Sequence, residues 1–158
     1  MWMHITINNF VISLGALFLF AFNLPIMVQF KPIDGKMVML SKINEARSKG
    51  CYCGRKWMDA TEPLMWNDTL FKSALAYAKH LEKNKLFSHI SADGKDIGKR
   101  LDEFNYPWQY VGENLGEGQD NFDEVMRDWL NSRTHCRMLM NPLMKEVAVA
   151  NHKGYWVQ

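Results

Sequence analysis

The feature that most constrains this chain is the lack of charged residues in its first 30 positions. Residues 1–30 contain no Asp, Glu, Lys or Arg, so all 19 basic and all 17 acidic residues of the 158-residue chain lie in residues 31–158. Mixed charge is typical of a soluble globular domain, whereas an apolar N-terminal segment is typical of targeting sequences. The sequence therefore divides into an apolar leader, residues 1–30, and one domain, residues 31–158.

The leader contains an uninterrupted apolar run, residues 10–22, that favours export. The run is shorter than the roughly 20 residues of a membrane-spanning helix and suits the centre of a signal peptide. Extended to Val28, it reaches a marginal spanning length. We expect a signal peptide or a membrane anchor, with the domain secreted, periplasmic or held outside the cytoplasm.

Other features of the leader keep alternatives open. No Lys or Arg precedes the run, and its small-residue cleavage pattern is poor. Lys31 and Lys36 follow the run, which by the positive-inside tendency favours a cytoplasmic domain. A buried core helix is a further alternative. In each case contact with a membrane is expected only through the N-terminal segment.

The charge balance argues against a nucleic-acid partner. The net charge is +2, and proteins that neutralise phosphates carry a distinctly basic surface. The apolar content of 47% is enough to build a hydrophobic core.

Hydrophobic periodicity predicts an α+β fold for the domain. Helices are predicted over residues 37–48, 68–85, 97–104, 122–130 and 134–140. A loop is predicted over 51–63, a short strand over 108–115, a turn over 116–120 and a terminal hairpin over 146–157. Helices that surround a few strands indicate α+β rather than a regular βαβ array.

Three polar residues at predicted element boundaries are candidates for chemistry: His89, Glu113 and His135. Two imidazoles and a carboxylate suit zinc or another divalent cation, with one position left for water. The same groups without a metal could perform acid–base work, because a carboxylate raises the pKa of a neighbouring His. Their wide spacing does not distinguish these roles from structural ones. The standard strings of zinc proteases, serine hydrolases and nucleotide-binding loops do not occur in the sequence.

The three cysteines are Cys51, Cys53 and Cys136. An odd number in an exported chain permits one internal disulfide and leaves one free thiol. A bridge from Cys51 or Cys53 to Cys136 would close a loop of about 85 residues and contribute about 4 kcal/mol. Three reduced thiols are the alternative.

An ordered set of short motifs gives the domain a family resemblance. The motifs are INEAR at 43–47, LMWNDTL at 64–70, ALAYA at 74–78, LFSH at 86–89, DG at 93–94 followed by RL at 100–101, VGENL at 111–115, WLNS at 129–132, HC at 135–136, NP at 141–142 and YWVQ at 155–158. In this order they resemble the CAP superfamily of cysteine-rich secretory, antigen-five and pathogenesis-related proteins, and most closely its bacterial SCP-like members.

This resemblance implies a CAP-like α-β-α sandwich with a small central sheet and a cleft that holds two His and two acidic residues. His89 and His135 match the two imidazoles, and Glu113 matches the first acid. Ser132 stands where eukaryotic members carry the second acid, and Glu124 lies nearer the start of the same predicted helix. Glu124 is interpreted as a helix cap or surface residue, with the cleft as the alternative, and Ser132 is considered as a further cleft residue.

The resemblance also implies a disulfide. In bacterial relatives with this Cys-Gly and His-Cys pattern, the partners are the residues that match Cys53 and Cys136.

For function, the resemblance implies an exported binding module. We expect zinc or another divalent cation to bind through His89 and His135, with Glu113 orienting an imidazole or a water. A small or lipid-like ligand, or a component of the cell envelope, is the expected partner. The alternative is a metal-dependent, protease-like hydrolase in which Glu113 acts as the base on a metal-bound water. A domain with an inert cleft is the third possibility.

Overall fold

A computed structural model describes residues 35–158 of the chain. The predicted leader, residues 1–30, lies outside the described residues. The helices of the described part are α1 Gly35–Lys49, α2 Asp68–Asn84, α3 Ile97–Asp102, α4 Phe122–Asn131 and α5 Arg133–Leu139. The strands are β1 Cys51–Cys53, β2 Lys56–Met58, β3 Met65–Trp66, β4 Leu115–Glu117, β5 Glu146–Val147, β6 Ala150–His152 and β7 Tyr155–Val157. Within residues 35–158, no helix combines the length and apolar character needed to cross a membrane.

A three-stranded antiparallel sheet lies at the centre of the fold, with β7 between β4 and β6. Successive side chains of a strand point to opposite faces. Tyr155 and Val157 of β7 pack in one core cluster with Ala78 of α2, whereas Trp156 packs in another with Val125 of α4. Helices therefore cover both faces of the sheet, which confirms the predicted α+β class and its α-β-α layers.

The ends of α2 follow from specific residues. The Asn67 side chain accepts hydrogen bonds from the backbone N–H groups of Thr69 and Leu70, at 2.8 and 3.1 Å, and so caps the first turn. Lys85, with φ of +50°, ends the helix in the left-handed conformation. These contacts confirm the predicted bounds and fix where the chain turns toward His89.

The predicted loop over 51–63 is wrong in its first half, because β1 and β2 form an antiparallel hairpin there. Gly54 has φ of +66° at the first of the two turn residues, as a type II′ hairpin requires. The outward-facing Tyr52 and Trp57 pack edge to face, with ring centroids 5.0 Å apart. Both rings are exposed. Because the solvent-facing positions are aromatic, the sequence of these strands does not alternate between apolar and polar residues.

The predicted strand over 108–115 is also wrong, because only Leu115 belongs to a strand. Trp108 and Tyr110 remain exposed and line a cavity instead of pairing with the sheet. The turn predicted over 116–120 begins too early, because β4 continues to Glu117.

The terminal hairpin is confirmed for β6 and β7, which meet at a turn where Lys153 and Gly154 have positive φ. β5, at the start of the predicted hairpin, does not pair with β7. β5 lies parallel to β3, so that Met65 is opposite Glu146.

Arg47 of α1 is fully buried. Its Nη1 donates to the carbonyl oxygens of Leu139, at 2.7 Å, and Asn141, at 3.1 Å, while its Nε donates to that of Glu62 at 2.8 Å. Carbonyls at the end of α5 carry partial negative charge, which a cation stabilises. Arg47 therefore holds α1 against the end of the helix that carries His135.

Candidate functional site

His89 is positioned by the loop that follows α2. Tyr77 of α2 donates its hydroxyl hydrogen to the Ser88 carbonyl at 2.6 Å. Arg100 of α3 donates through Nη1 to the His89 carbonyl at 3.0 Å and to the Lys95 carbonyl at 3.1 Å. The backbone on both sides of the imidazole is therefore tied to two helices, while 56% of the His89 side chain remains exposed.

Glu113 lies next to His89 and is almost fully enclosed, with 2% of its side chain exposed. Its Oε1 is 2.9 Å from His89 Nδ1, and its Oε2 accepts a hydrogen bond from Arg100 Nη2 at 2.5 Å. A buried carboxylate needs such compensation, because desolvation of an unpaired charge is costly. Both oxygens of Glu113 are thus engaged by cationic or polar side chains.

Arg100 is the central residue that the sequence reasoning missed. Its guanidinium lies 3.4 Å above the centre of the Tyr77 ring, in a cation–π arrangement. Burial raises the pKa of Tyr77 to about 12, so the phenol keeps its proton. The motif at 100–101 contributes to the family resemblance, but no pattern in the sequence indicates that α3 packs its cation against Glu113.

His135 occupies the first turn of α5. Asn114, which follows Glu113, donates through Nδ2 to the His135 carbonyl at 3.2 Å and to Gln158 Oε1 at 2.7 Å. Burial lowers the pKa of His135, and the nearby charge of His89 lowers it further. The two imidazoles are therefore close enough to interact electrostatically.

The two imidazoles differ in their preferred protonation state. The hydrogen bond that His89 donates to Glu113 raises the pKa of His89, against the opposing effect of burial. Burial instead lowers the pKa of His135, and this favours the neutral ring. The contacts of His89 stabilise its protonated form, whereas burial of His135 stabilises the neutral form that metals bind.

The three predicted residues fit a metal only in part. With Nδ1 of His89 held by Glu113, Nε2 is the atom left to bind a ligand, which is the usual arrangement of a metal-binding His and its outer carboxylate. The three ligand atoms that converge within 4.8 Å in residues 35–158 belong instead to Cys51, Cys53 and Cys136. Glu113 contacts the His89 imidazole, and its role toward a metal stays a prediction.

The two further cleft candidates lie at opposite ends of α4. Glu124 accepts hydrogen bonds from the Asp120 backbone N–H and from Asn121 Nδ2, both at 3.0 Å, and Asn121 caps the Glu124 backbone in return. Ser132 joins α4 to α5, and its hydroxyl lies 3.2 Å from that of Thr134. Glu124 is thus part of the cap of α4, and Ser132 lies at the junction between α4 and α5.

A cavity of about 510 Å³ lies beside Glu113. Most of its wall is apolar or aromatic and includes Leu70, Ile97, Tyr106, Trp108, Val111 and Met138. Glu113 and Arg100 contribute charged groups to the wall, whereas His89 and His135 are not among the described residues that line it. Glu113 therefore contacts both the cavity and the first imidazole.

A second carboxylate in the cavity wall, Glu146, was not predicted. Its Oε2 accepts a hydrogen bond from the Tyr106 hydroxyl, and its Oε1 accepts one from Asn67 Nδ2 at 3.1 Å. Burial and the neighbouring carboxylate raise the pKa of Tyr106 to about 12. In the sequence, the position of Glu146 is that of an ordinary strand end.

The disulfide implied by the resemblance is present. Cys53 and Cys136 are bonded and fully buried, and Cys51 keeps a free, partly exposed thiol. This bond attaches the β1–β2 hairpin to α5, one residue after His135.

The statistical model of the CAP family, described as the cysteine-rich secretory protein family, matches residues 40–158. The chain therefore belongs to this family, and the resemblance drawn from the short motifs is confirmed.

Two curated relatives come from Bacillus subtilis (strain 168). The uncharacterized protein YkwD is 30% identical over 88 residues, which are 56% of this chain and 34% of YkwD. The uncharacterized membrane protein YlbC is 26% identical over 95 residues, which are 60% of this chain and 28% of YlbC. The matched region spans about a third of each relative.

Solved structures share the fold at low sequence identity. An SCP-domain extracellular protein from Bacillus anthracis str. Ames has a TM-score of 0.70 and 23% identity, covering 78% of this chain and 38% of that one. An outer surface protein from Borrelia burgdorferi has a TM-score of 0.64 and 23% identity, covering 77% of this chain and 85% of that one.

Proposed function

We propose that this chain is an exported CAP-domain binding protein that takes a small, largely apolar or lipid-like ligand. The observation that carries the proposal is the cavity of about 510 Å³ beside Glu113. Ligand sites are typically clefts of this size, with apolar walls and a few placed polar groups. The polar side chains that line this cavity include Glu113, Arg100 and Glu146, which would orient the polar end of the ligand.

The same proposal assigns a divalent cation, zinc or a similar ion, to His89 Nε2 and His135. Neutral imidazoles are common metal ligands, and a carboxylate on the far nitrogen fixes the ring and increases its basicity. The lowered pKa of His135 suits this role, because the ring does not need to lose a proton at neutral pH. The raised pKa of His89 makes the cation compete with a proton at that ring.

The contacts of Glu113 favour binding over the alternative hydrolase. A general base needs a carboxylate oxygen within reach of the attacking water. Oε1 faces His89 and Oε2 faces Arg100, and 2% of the Glu113 side chain is exposed, so an attacking water has little access to this carboxylate.

Export is supported by three observations of different kinds. The leader is apolar and uncharged. A disulfide persists in oxidising compartments outside the cytosol. The proteins with similar structures are described as extracellular or as an outer surface protein.

The cavity proposal is tested by calorimetric titration of palmitate into the purified full chain. Val111→Trp fills the cavity from its wall, and Val38→Trp places the same side chain on the exposed face of α1 as a matched control. We expect Val111→Trp to weaken binding at least tenfold and Val38→Trp to leave it unchanged. Equal affinities, or no binding to the unsubstituted chain, would contradict the proposal.

The cation proposal is tested by zinc titration of the full chain and of His89→Ala. His152→Ala is the control, because His152 lies on β6 outside the site. Loss of zinc binding in His89→Ala alone, without turnover of peptide or ester substrates, supports a binding module. Unchanged zinc binding in His89→Ala contradicts the assignment.

A further inference from the structure

The three cysteines meet where the β1–β2 hairpin packs against α5. Cys51 and Cys53 are alternate residues of β1, so their side chains leave the same face of the strand. Cys136 on α5 lies opposite, and the three sulfurs are within 4.8 Å of one another. Two of them form the disulfide Cys53–Cys136, and Cys51 holds the free thiol.

The free thiol contacts one particular sulfur of the disulfide. Cys51 Sγ lies 3.6 Å from Cys136 Sγ. Because Cys136 Sγ is bonded to Cys53 and has no hydrogen, Cys51 is the donor in this contact. Cys51 Sγ, the potential nucleophile, therefore contacts Cys136 Sγ, the sulfur that it would attack. Such positioning lowers the entropic part of the activation barrier.

The three sulfurs differ in access to solvent. Cys53 and Cys136 are fully buried, whereas Cys51 is partly exposed. A reagent in solution reaches Cys51, while the disulfide is shielded from attack by external thiols. The internal thiol thus has a route to the bond that an external thiol lacks.

We propose that Cys51, Cys53 and Cys136 form a thiol–disulfide exchange site, in which Cys51 replaces Cys53 as the partner of Cys136. The Cys51 thiol gives its proton to solvent, and the thiolate forms a bond to Cys136 Sγ. The Cys53–Cys136 bond breaks, and its electron pair leaves on Cys53 Sγ, which takes up a proton. One disulfide and one thiol are present before and after, so the step needs no oxidant or reductant.

The exchange moves the attachment of the hairpin by two residues, about 7 Å along β1. Since Cys136 directly follows His135, the change occurs beside one of the two imidazoles. The exchange does not depend on the proposed ligand or cation.

The proposal is tested by mapping the free thiol in the full chain. The protein is held at pH 7 or pH 9 without added thiol, because burial raises the pKa of Cys51 and the thiolate is the attacking form. It is then quenched in acid, unfolded, labelled with N-ethylmaleimide and digested with trypsin without reduction. Cys51 and Cys53 share the tryptic peptide 50–55, so fragmentation of that peptide locates the label.

We expect the label on both Cys51 and Cys53. The labelled fraction of Cys53 should reach its final value faster at pH 9 than at pH 7. Label confined to Cys51 at both pH values would overturn the proposal. Disulfide-linked peptides that join two different chains are counted separately, because exchange within one chain does not produce them.

Two variants separate geometry from folding. Cys53→Ser is expected to form the Cys51–Cys136 disulfide, whereas Cys51→Ser is expected to keep Cys53–Cys136 with no thiol to label. A folded Cys53→Ser chain, judged by circular dichroism, with both remaining cysteines labelled would also overturn the proposal. If Cys53→Ser does not fold, the label in the unsubstituted chain decides.

Discussion

His89 and Glu113 are 24 residues apart in the chain, yet His89 Nδ1 lies 2.9 Å from Glu113 Oε1. The carboxylate is enclosed while the imidazole is half exposed. The protein thus buries the carboxylate and leaves the imidazole to which it is hydrogen-bonded accessible to solvent.

The first prediction concerns this pair. Glu113→Gln removes the negative charge and should lower the pKa of His89, because the bond to Glu113 is the main cause of its elevation. Titration of the imidazole by NMR measures the shift. Glu62→Gln removes an exposed carboxylate outside the pair and should leave the His89 pKa in place; equal shifts in both variants would contradict the assignment.

The second prediction concerns the buried cation. Arg100→Met leaves the Glu113 carboxylate with one fewer partner in an enclosed setting, so we expect the free energy of unfolding to fall by about 3 kcal/mol. Arg127→Met, at an exposed position of α4, should change it by less than about 0.5 kcal/mol. Urea denaturation measures both. Similar losses would show that Arg100 has no special role.

The third prediction concerns the coupling of the imidazoles. The charge of His89 lowers the pKa of His135, so His89→Gln should raise it toward the ordinary value. His152→Gln serves as the control. An unchanged His135 pKa in His89→Gln, measured by NMR, would mean that the two rings are too far apart to share a cation.

The fourth prediction concerns stability against pH. Because the folded pKa of His89 is raised, its stabilising contribution is complete below the unfolded pKa of about 6.5 and is lost as pH rises through the folded pKa. The decrease in Tm that His89→Gln causes should therefore become smaller from pH 5.5 to pH 8.5.

This comparison is best made in a His135→Gln background, where repulsion between two imidazolium ions is absent. Calorimetric Tm values of the chains with and without His89→Gln give the difference directly. A difference that grows with pH would have the wrong sign for a His–carboxylate bond.

Elements with local signals could be predicted from the sequence. For α2, the apolar period, the Asn67 cap and the left-handed Lys85 are all encoded within the helix and its flanks. The β1–β2 hairpin has only Gly54 as a local signal, because its exposed Tyr52 and Trp57 give no alternation of apolar and polar residues. A disulfide to a residue 83 positions away in sequence attaches this hairpin to α5.

The candidate site divides in the same way. His89, Glu113 and His135 are indicated by their places at predicted element boundaries and by their match to family motifs, and not by their spacing. Arg100 and Glu146 were missed as chemical groups, since their roles depend on long-range packing against Glu113 and Tyr106. Such pairings become visible only when the helices and strands are placed in space.

The central claim is that His89 and His135 bind one divalent cation while Glu113 orients the His89 ring through its hydrogen bond with Nδ1. The most direct measurement is anomalous diffraction at the zinc edge from crystals of the full chain grown with zinc. The account predicts one peak within about 2.1 Å of His89 Nε2 and of a His135 nitrogen, with Glu113 still on His89 Nδ1. A peak only at Cys51, or no peak near either imidazole, would contradict it.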